Sequence, residues 1–159
     1  MNLKRKDYLS LIIWIAALML IGSSIGALTK TSVDTWYTTL IRSPLTPPNY
    51  YFGIVWSILY AMIATSGWLI WNSNEFTGLR LIKILYIAQL LLNWSWTPLF
   101  FSYHLIGPAL ICLSLIIILV VLLIISSFNK INMAALLLIP YLLWSLFAAY
   151  LNFYIFRYN

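Results

Sequence analysis

The sequence predicts an all-α membrane protein, a bundle of five transmembrane helices with a long structured loop between helices 1 and 2. Three observations carry this. Hydrophobic residues make up 64% of the chain and charged residues 8%, with a mean hydropathy of +0.96, and so little polar surface cannot cover a soluble globule. The apolar residues gather in five runs, each close to the roughly 20 residues that a helix needs to cross hydrocarbon. The nine lysines and arginines fall between those runs, where the loop charges of membrane proteins collect. A net charge of +6 therefore points to a lipid bilayer and not to nucleic acid, since no basic stripe exists for phosphates to follow.

A single domain covers residues 1–159, with spans at about 8–28, 51–72, 81–103, 108–126 and 133–156. Lys4, Arg5 and Lys6 precede the first span in the sign pattern of a signal peptide, but the apolar run exceeds the roughly 7–15 residues of a signal h-region. It reads as a membrane helix. Gly22 and Gly26 in this run leave room for another helix to approach, inside the bundle in preference to a dimer contact.

A connector over residues 29–49 follows, longer than most loops of compact proteins and on that ground a functional candidate. Pro44, Pro47 and Pro48 fix their own φ angles, remove three backbone donors and bias their predecessors away from helix. The connector is expected to be a stiff, extended lid. It delivers a group of aromatic residues to the start of the second span, where Phe52, Trp56, Tyr60, Ile63 and Gly67 align along one helical stripe. Packing alone commonly explains such stripes. Trp68 and Trp71, near the far end, are expected to be interface anchors.

In the third span, Gln89, Asn93, Trp96 and Phe100 share one face, so two amides must look inward to protein, water or ligand. Pro98 should kink this helix or free a carbonyl. A tight link at residues 104–107 makes spans three and four antiparallel neighbours, and the fourth span, nearly all Leu, Ile and Val, reads as structural. Its Cys112, the only cysteine, is expected to be an inert packing residue. The fifth span carries Pro140, Tyr141, Trp144, Phe147, Ala148 and Asn152.

Orientation follows from alternate sides of five spans. Lys4, Arg5, Lys6, Arg80, Lys83 and Lys130 share one side, against Lys30, Arg42 and Arg157 on the other. The positive-inside rule then places the N-terminus in the cytoplasm and the proline lid outside, in an integral, multi-pass protein of the cell membrane. His104, the only imidazole, is expected in a short link on the side opposite the lid, and there is little reason to read it as a haem ligand.

Three segments, WYTTLIRSPLTPPNYYFGIVWSILYAMIA, QLLLNWSWTPLFF and PYLLWSLFAAYLNFYIFRYN, resemble the translocator protein or tryptophan-rich sensory protein family (TspO/MBR, the peripheral-type benzodiazepine receptors). The resemblance covers four of the five spans and implies a five-helix bundle, binding of porphyrins such as protoporphyrin IX or another flat hydrophobic molecule, and homodimers in many members. By the same resemblance, Tyr37 in the lid, Trp56, Asn93, Trp144, Ala148 and Asn152 are pocket residues. Trp56 and Trp144 match the tryptophans implicated in light-dependent porphyrin breakdown. Arg42-Ser43 stands where many members have Lys-Pro, so the lid is held differently here.

A porphyrin is a broad π system with two carboxylates, needing aromatic walls, a small-residue floor and a few polar groups at the mouth. Trp56, Trp144, Tyr60 and Phe100 are the expected walls, with Phe52 and Phe147 beside them. Ala148 is the expected floor, Asn93 and Asn152 the donors, and Arg42 or Lys30 the cations near the carboxylates. No His, Cys or carboxylate cluster has metal-ligand spacing, so neither metal nor cofactor is called for. The three acids, Asp7, Asp34 and Glu75, lie outside the apolar runs, which leaves no buried carboxylate pair for acid-base work. Any reaction must run through tryptophan oxidation. A transporter of hydrophobic molecules and a structural scaffold remain the alternative functions.

Overall fold

The computed structural model describes residues 5–159, and side chains from residue 8 onward. Lys4 and the side chains of Arg5 and Lys6, three of the six charges on the N-terminal side behind the orientation, lie outside the described residues. Six α-helices follow in order: α1 (Arg5–Asp34), α2 (Trp36–Thr39), α3 (Asn49–Trp71), α4 (Leu79–Thr97), α5 (Ile106–Ser127) and α6 (Asn132–Tyr158). Five of them, all but α2, are long and apolar enough to cross a membrane.

The long helices form a ring in which α1 packs on α3, α3 on α6, α6 on α5 and α5 on α4, with α4 returning to α1. The core lies where these faces meet. Ile63, Ala64, Ile82, Val120, Leu123, Leu138 and Tyr141 have no exposed surface. Leucines and isoleucines also cover the outside of the bundle, as a hydrocarbon solvent permits. α1 is the least embedded of the five, with Leu18 and Thr29 its buried side chains among the described residues.

α1 runs past Leu28 to Asp34, into what the sequence assigned to the connector. Its hydroxyls explain this. Thr29 Oγ1 donates to the carbonyls of Ile25 (3.2 Å) and Gly26 (3.1 Å), and Thr35 Oγ1 to that of Thr31 (2.7 Å), so polar residues satisfy themselves on the helix and let it continue. The connector that remains is the short α2 and an irregular stretch over residues 40–48. Thr46 N–H closes a turn onto Ser43 O at 2.9 Å, and Pro48, at φ −53°, ψ 144°, caps α3.

Pro98 does more than kink the third span. With no N–H to offer, it starts a π-helical turn over Pro98–Ser102, closed by Tyr103 N–H on Pro98 O at 3.0 Å. A widened turn of this kind re-aims the side chains it carries. Pro140 sits inside α6 without ending it.

Two expectations are corrected. Trp68 is no interface anchor: it is buried, and its indole N–H donates to Ser10 Oγ at 2.8 Å, because this part of α3 turns toward α1. His104 lies on the same side as the lid, its ring stacked on Trp36 at 4.0 Å and 16°. Parity is the reason, since links after the first and third spans must emerge on one side. The opposite side is tied by Lys130, whose Nζ donates to Thr77 O at 3.1 Å.

Candidate functional site

A cavity of about 890 Å³ lies under the lid between α1, α3 and the lid-side end of α4. Along α1 the lining runs from Ala16 to Asp34, and Gly22 marks the place in it where that helix touches α3. The Tyr60 ring occupies the space a Cβ would need there, so α1 and α3 meet without a gap. One turn further along α1, Gly26 has nothing within 4 Å of its Cβ position, and Gly53 on α3 likewise faces open space. The two glycines of the first span thus do different things: one makes the contact and the other leaves the room.

The lid side is closed by Tyr37 of α2, 5% exposed. Its ring packs on Phe101 at 5.5 Å and Phe100 at 6.1 Å, both on the π-helical turn. Burial raises the Tyr37 phenol above its ordinary pKa, and Arg42, whose guanidinium lies 5.1 Å from the ring centroid, offsets part of that. Phe52, Trp56 and Tyr60 form the α3 wall, and Lys30, Asp34 and Asn49 bring polar groups to the lid-side end.

Behind Tyr60 a polar chain enters the core. Tyr60 hydroxyl donates to Asn93 Oδ1 at 2.9 Å, and Asn93 Nδ2 donates to the Tyr141 hydroxyl at 3.0 Å. The inward amide face of the third span is buried, Gln89 and Asn93 included. Asn93 reaches the cavity only through Tyr60, because both ends of its amide are taken.

The sequence-predicted residues fall into two groups. Tyr37, Phe52, Trp56, Tyr60 and Lys30 line the cavity, while Trp144, Phe147, Ala148 and Asn152 of α6 do not. Trp144 stands 5.8 Å from Phe52 and 5.5 Å from Phe147, and its indole N–H is buried with no acceptor, which costs about 1–3 kcal/mol unless something else supplies one. Ala148 is buried. Asn152 donates to Ile106 O at 3.0 Å and accepts from Trp96 Nε1 at 3.4 Å. Phe100 stands behind the lid, 5.5 Å from Trp36 and 5.7 Å from Trp96. Trp56 links the groups, 5.6 Å from Tyr60 and 6.3 Å from Tyr141.

Pro44, Pro47 and Pro48 frame the lid without lining the cavity. Ser43 holds it. The buried Ser43 hydroxyl pairs with Tyr150 Oη at 3.0 Å and accepts from Leu45 N–H at 3.1 Å, a tether that a proline at this position would lack. Asn159 holds Ile41 by both backbone groups, accepting from its N–H at 3.0 Å and donating to its carbonyl at 3.2 Å.

Sequence reasoning found Lys30 but missed the rest of the α1 wall, where Gly26, Thr29 and Asp34 also line the cavity. The signal for them is the run of small and polar residues following Gly22, which serves equally for helix contact or loop. The tethers to Tyr150 and Asn159 span more than a hundred positions and leave no local trace. Among the described residues no three His, Cys, Asp or Glu side chains come together.

The TspO/MBR family model matches residues 14–158. The chain is 36% identical over 153 residues to the tryptophan-rich protein TspO of Archaeoglobus fulgidus, covering 96% of this chain and 99% of that one. It is 32% identical to the tryptophan-rich protein TspO of Chlorobaculum tepidum, with 97% and 98% covered. Against the human translocator protein it is 34% identical over 126 residues, 78% of this chain and 75% of the relative.

Proposed function

The chain belongs to the TspO/MBR family, and on that premise we propose that this integral, multi-pass membrane protein binds a porphyrin of the protoporphyrin type in the cavity under the lid. The observation that carries the reading is the cavity's chemistry. Its walls are aromatic and apolar from Tyr37, Phe52, Trp56 and Tyr60, its lid-side end holds Lys30 and Asn49, and its 890 Å³ falls in the upper part of the roughly 300–1,000 Å³ typical of small-molecule sites. A flat π system gains from offset stacking on Trp56 and Tyr60. Lys30 supplies charge for a carboxylate edge.

In this reading Trp56 is the indole nearest the ligand, positioned to exchange an electron or reactive oxygen with a light-excited porphyrin, and Trp144 lies behind Phe52 as the second oxidisable ring. Light- and oxygen-dependent degradation of the bound pigment is part of the proposal. So are a cell-membrane location with the N-terminus in the cytoplasm and a homodimer, both resting on charge distribution and family resemblance. Native mass spectrometry from lipid nanodiscs decides the oligomer, a monomer ruling the dimer out.

Titration of protoporphyrin IX with tryptophan fluorescence as the readout, in the dark and under illumination, tests the function. Saturable quenching in the dark, followed in light by loss of porphyrin absorbance, is the expected result. Absence of saturable quenching defeats the binding reading, and quenching without pigment loss defeats the degradation reading alone.

A further inference from the structure

We infer that the ligand exchanges sideways with the bilayer, through the slot between the lid-side halves of α1 and α3, and not by lifting the lid. The inference rests on the cavity being the ligand site. It is drawn from a contrast between the two boundaries of that cavity, one tethered and one empty.

The lid is held at three separate places. Trp36 is clamped between His104, at 4.0 Å, and Phe100, at 5.5 Å. Ser43 is buried on the Tyr150 hydroxyl, and Ile41 is paired by Asn159. These contacts come from the π-helical turn and its link, from Tyr150 on α6 and from Asn159 just past the end of α6, so lifting the lid means breaking contacts to both regions at once.

Nothing comparable closes the slot. Above the Gly22–Tyr60 contact, the Cβ directions of Gly26 and Gly53 meet no atom within 4 Å, and the neighbouring wall residues Ser23, Ala27 and Ser57 are open to the outside of the bundle. All five belong to helices that cross the hydrocarbon. Whatever passes here comes from the membrane, not from water. Lys30 and Asn49 mark the lid-side end of the same slot, at the depth where a bilayer becomes polar. The ligand class this admits is an amphiphile with a flat apolar body and an anionic edge, entering body-first from the lid-side leaflet while its charge stays near the interface. Such a molecule concentrates in the bilayer by its apolar area, and the slot spares it a passage through water.

The test uses the full chain in nanodiscs with protoporphyrin IX, reading association by stopped-flow tryptophan quenching in the dark. One variant combines Asn159→Ala with Tyr150→Phe, removing the two α6 tethers. The other is Gly53→Cys in a Cys112→Ser background, where the added side chain has open space, modified with benzyl methanethiosulfonate and released with dithiothreitol. Lateral entry predicts an association rate within about twofold of the parent for the first, and for the second a fall of about tenfold on modification that reverses on release, since route changes act on rates. A tenfold faster association in the untethered variant overturns the inference, as does an unchanged rate in the modified one. A dissociation constant that worsens as much as the rate falls also overturns it, because the label then fills the site and not its entrance. If the unmodified parent shows no quenching, the porphyrin reading fails instead. The same comparison is then made with a doxyl-labelled stearic acid that quenches Trp56 from the bilayer, with the same outcomes for and against.

Discussion

The Tyr60 ring lies against Gly22 where α1 crosses α3, so closely that a Cβ on the glycine would overlap it. Both residues belong to the cavity wall. Tyr60 thereby fixes the helix crossing, forms part of the cavity wall and, through its hydroxyl, joins Asn93 in the core.

Gly22→Ala is expected to force the ring aside, because Tyr60 is held at its far end by Asn93 and cannot swing freely. A loss of about 1–3 kcal/mol is the usual cost of overfilling a packed site. Gly26→Ala, facing open space, should lie within roughly 1 kcal/mol of the parent on the stabilising side. Thermal unfolding of the pair in one detergent checks this, and equal midpoints would contradict it.

Asn93→Leu removes the amide between two hydroxyls and leaves Tyr141, fully buried, without its donor. Each buried polar group left unpaired costs about 1–3 kcal/mol. Adding Tyr141→Phe should then recover part of the loss. A double variant no more stable than Asn93→Leu alone would show that packing, not the hydrogen-bond chain, sets the cost.

The two proposed redox tryptophans should separate by substitution. Trp56 lines the cavity and Trp144 does not, so Trp56→Phe is expected to weaken porphyrin binding several-fold and to slow its photodegradation, by loss of stacking worth roughly 1 kcal/mol. Trp144→Phe should keep dark affinity and slow only the bleaching. Unchanged bleaching in Trp144→Phe under matched illumination would remove that indole from the proposed chemistry.

Tyr37 gives the lid a dependence on alkaline pH. Burial raises its folded-state pKa, so its contribution is fully present below the unfolded value of about 10 and is lost as pH rises through the folded value. Lid stability should therefore be flat through neutral pH and decline above about pH 10, and Tyr37→Phe should flatten that decline. The difference in emission between otherwise identical proteins with and without Trp36→Phe isolates the indole stacked on His104 from the other tryptophans and follows the lid. A decline of equal steepness in Tyr37→Phe would assign it to other groups.

Hydropathy and residue type by themselves determined five spans, the inward amide face carrying Gln89 and Asn93, and the disturbance at Pro98, because each depends on local chain properties. The side of His104 also follows from the chain alone, because links after the first and third spans emerge together. Packing decided the rest: that α1 walls the cavity, that Trp68 is core, that Trp144 stands outside the lining, and that Ser43 and Ile41 are tied to Tyr150 and Asn159. The reason is the solvent. In water an apolar stripe reveals which face of a helix turns inward, but these helices are apolar all round, and lipid accepts any of their faces. Their rotation is then set by which side chains fit against one another, as Tyr60 does against Gly22, and that fit exists only once distant segments have met.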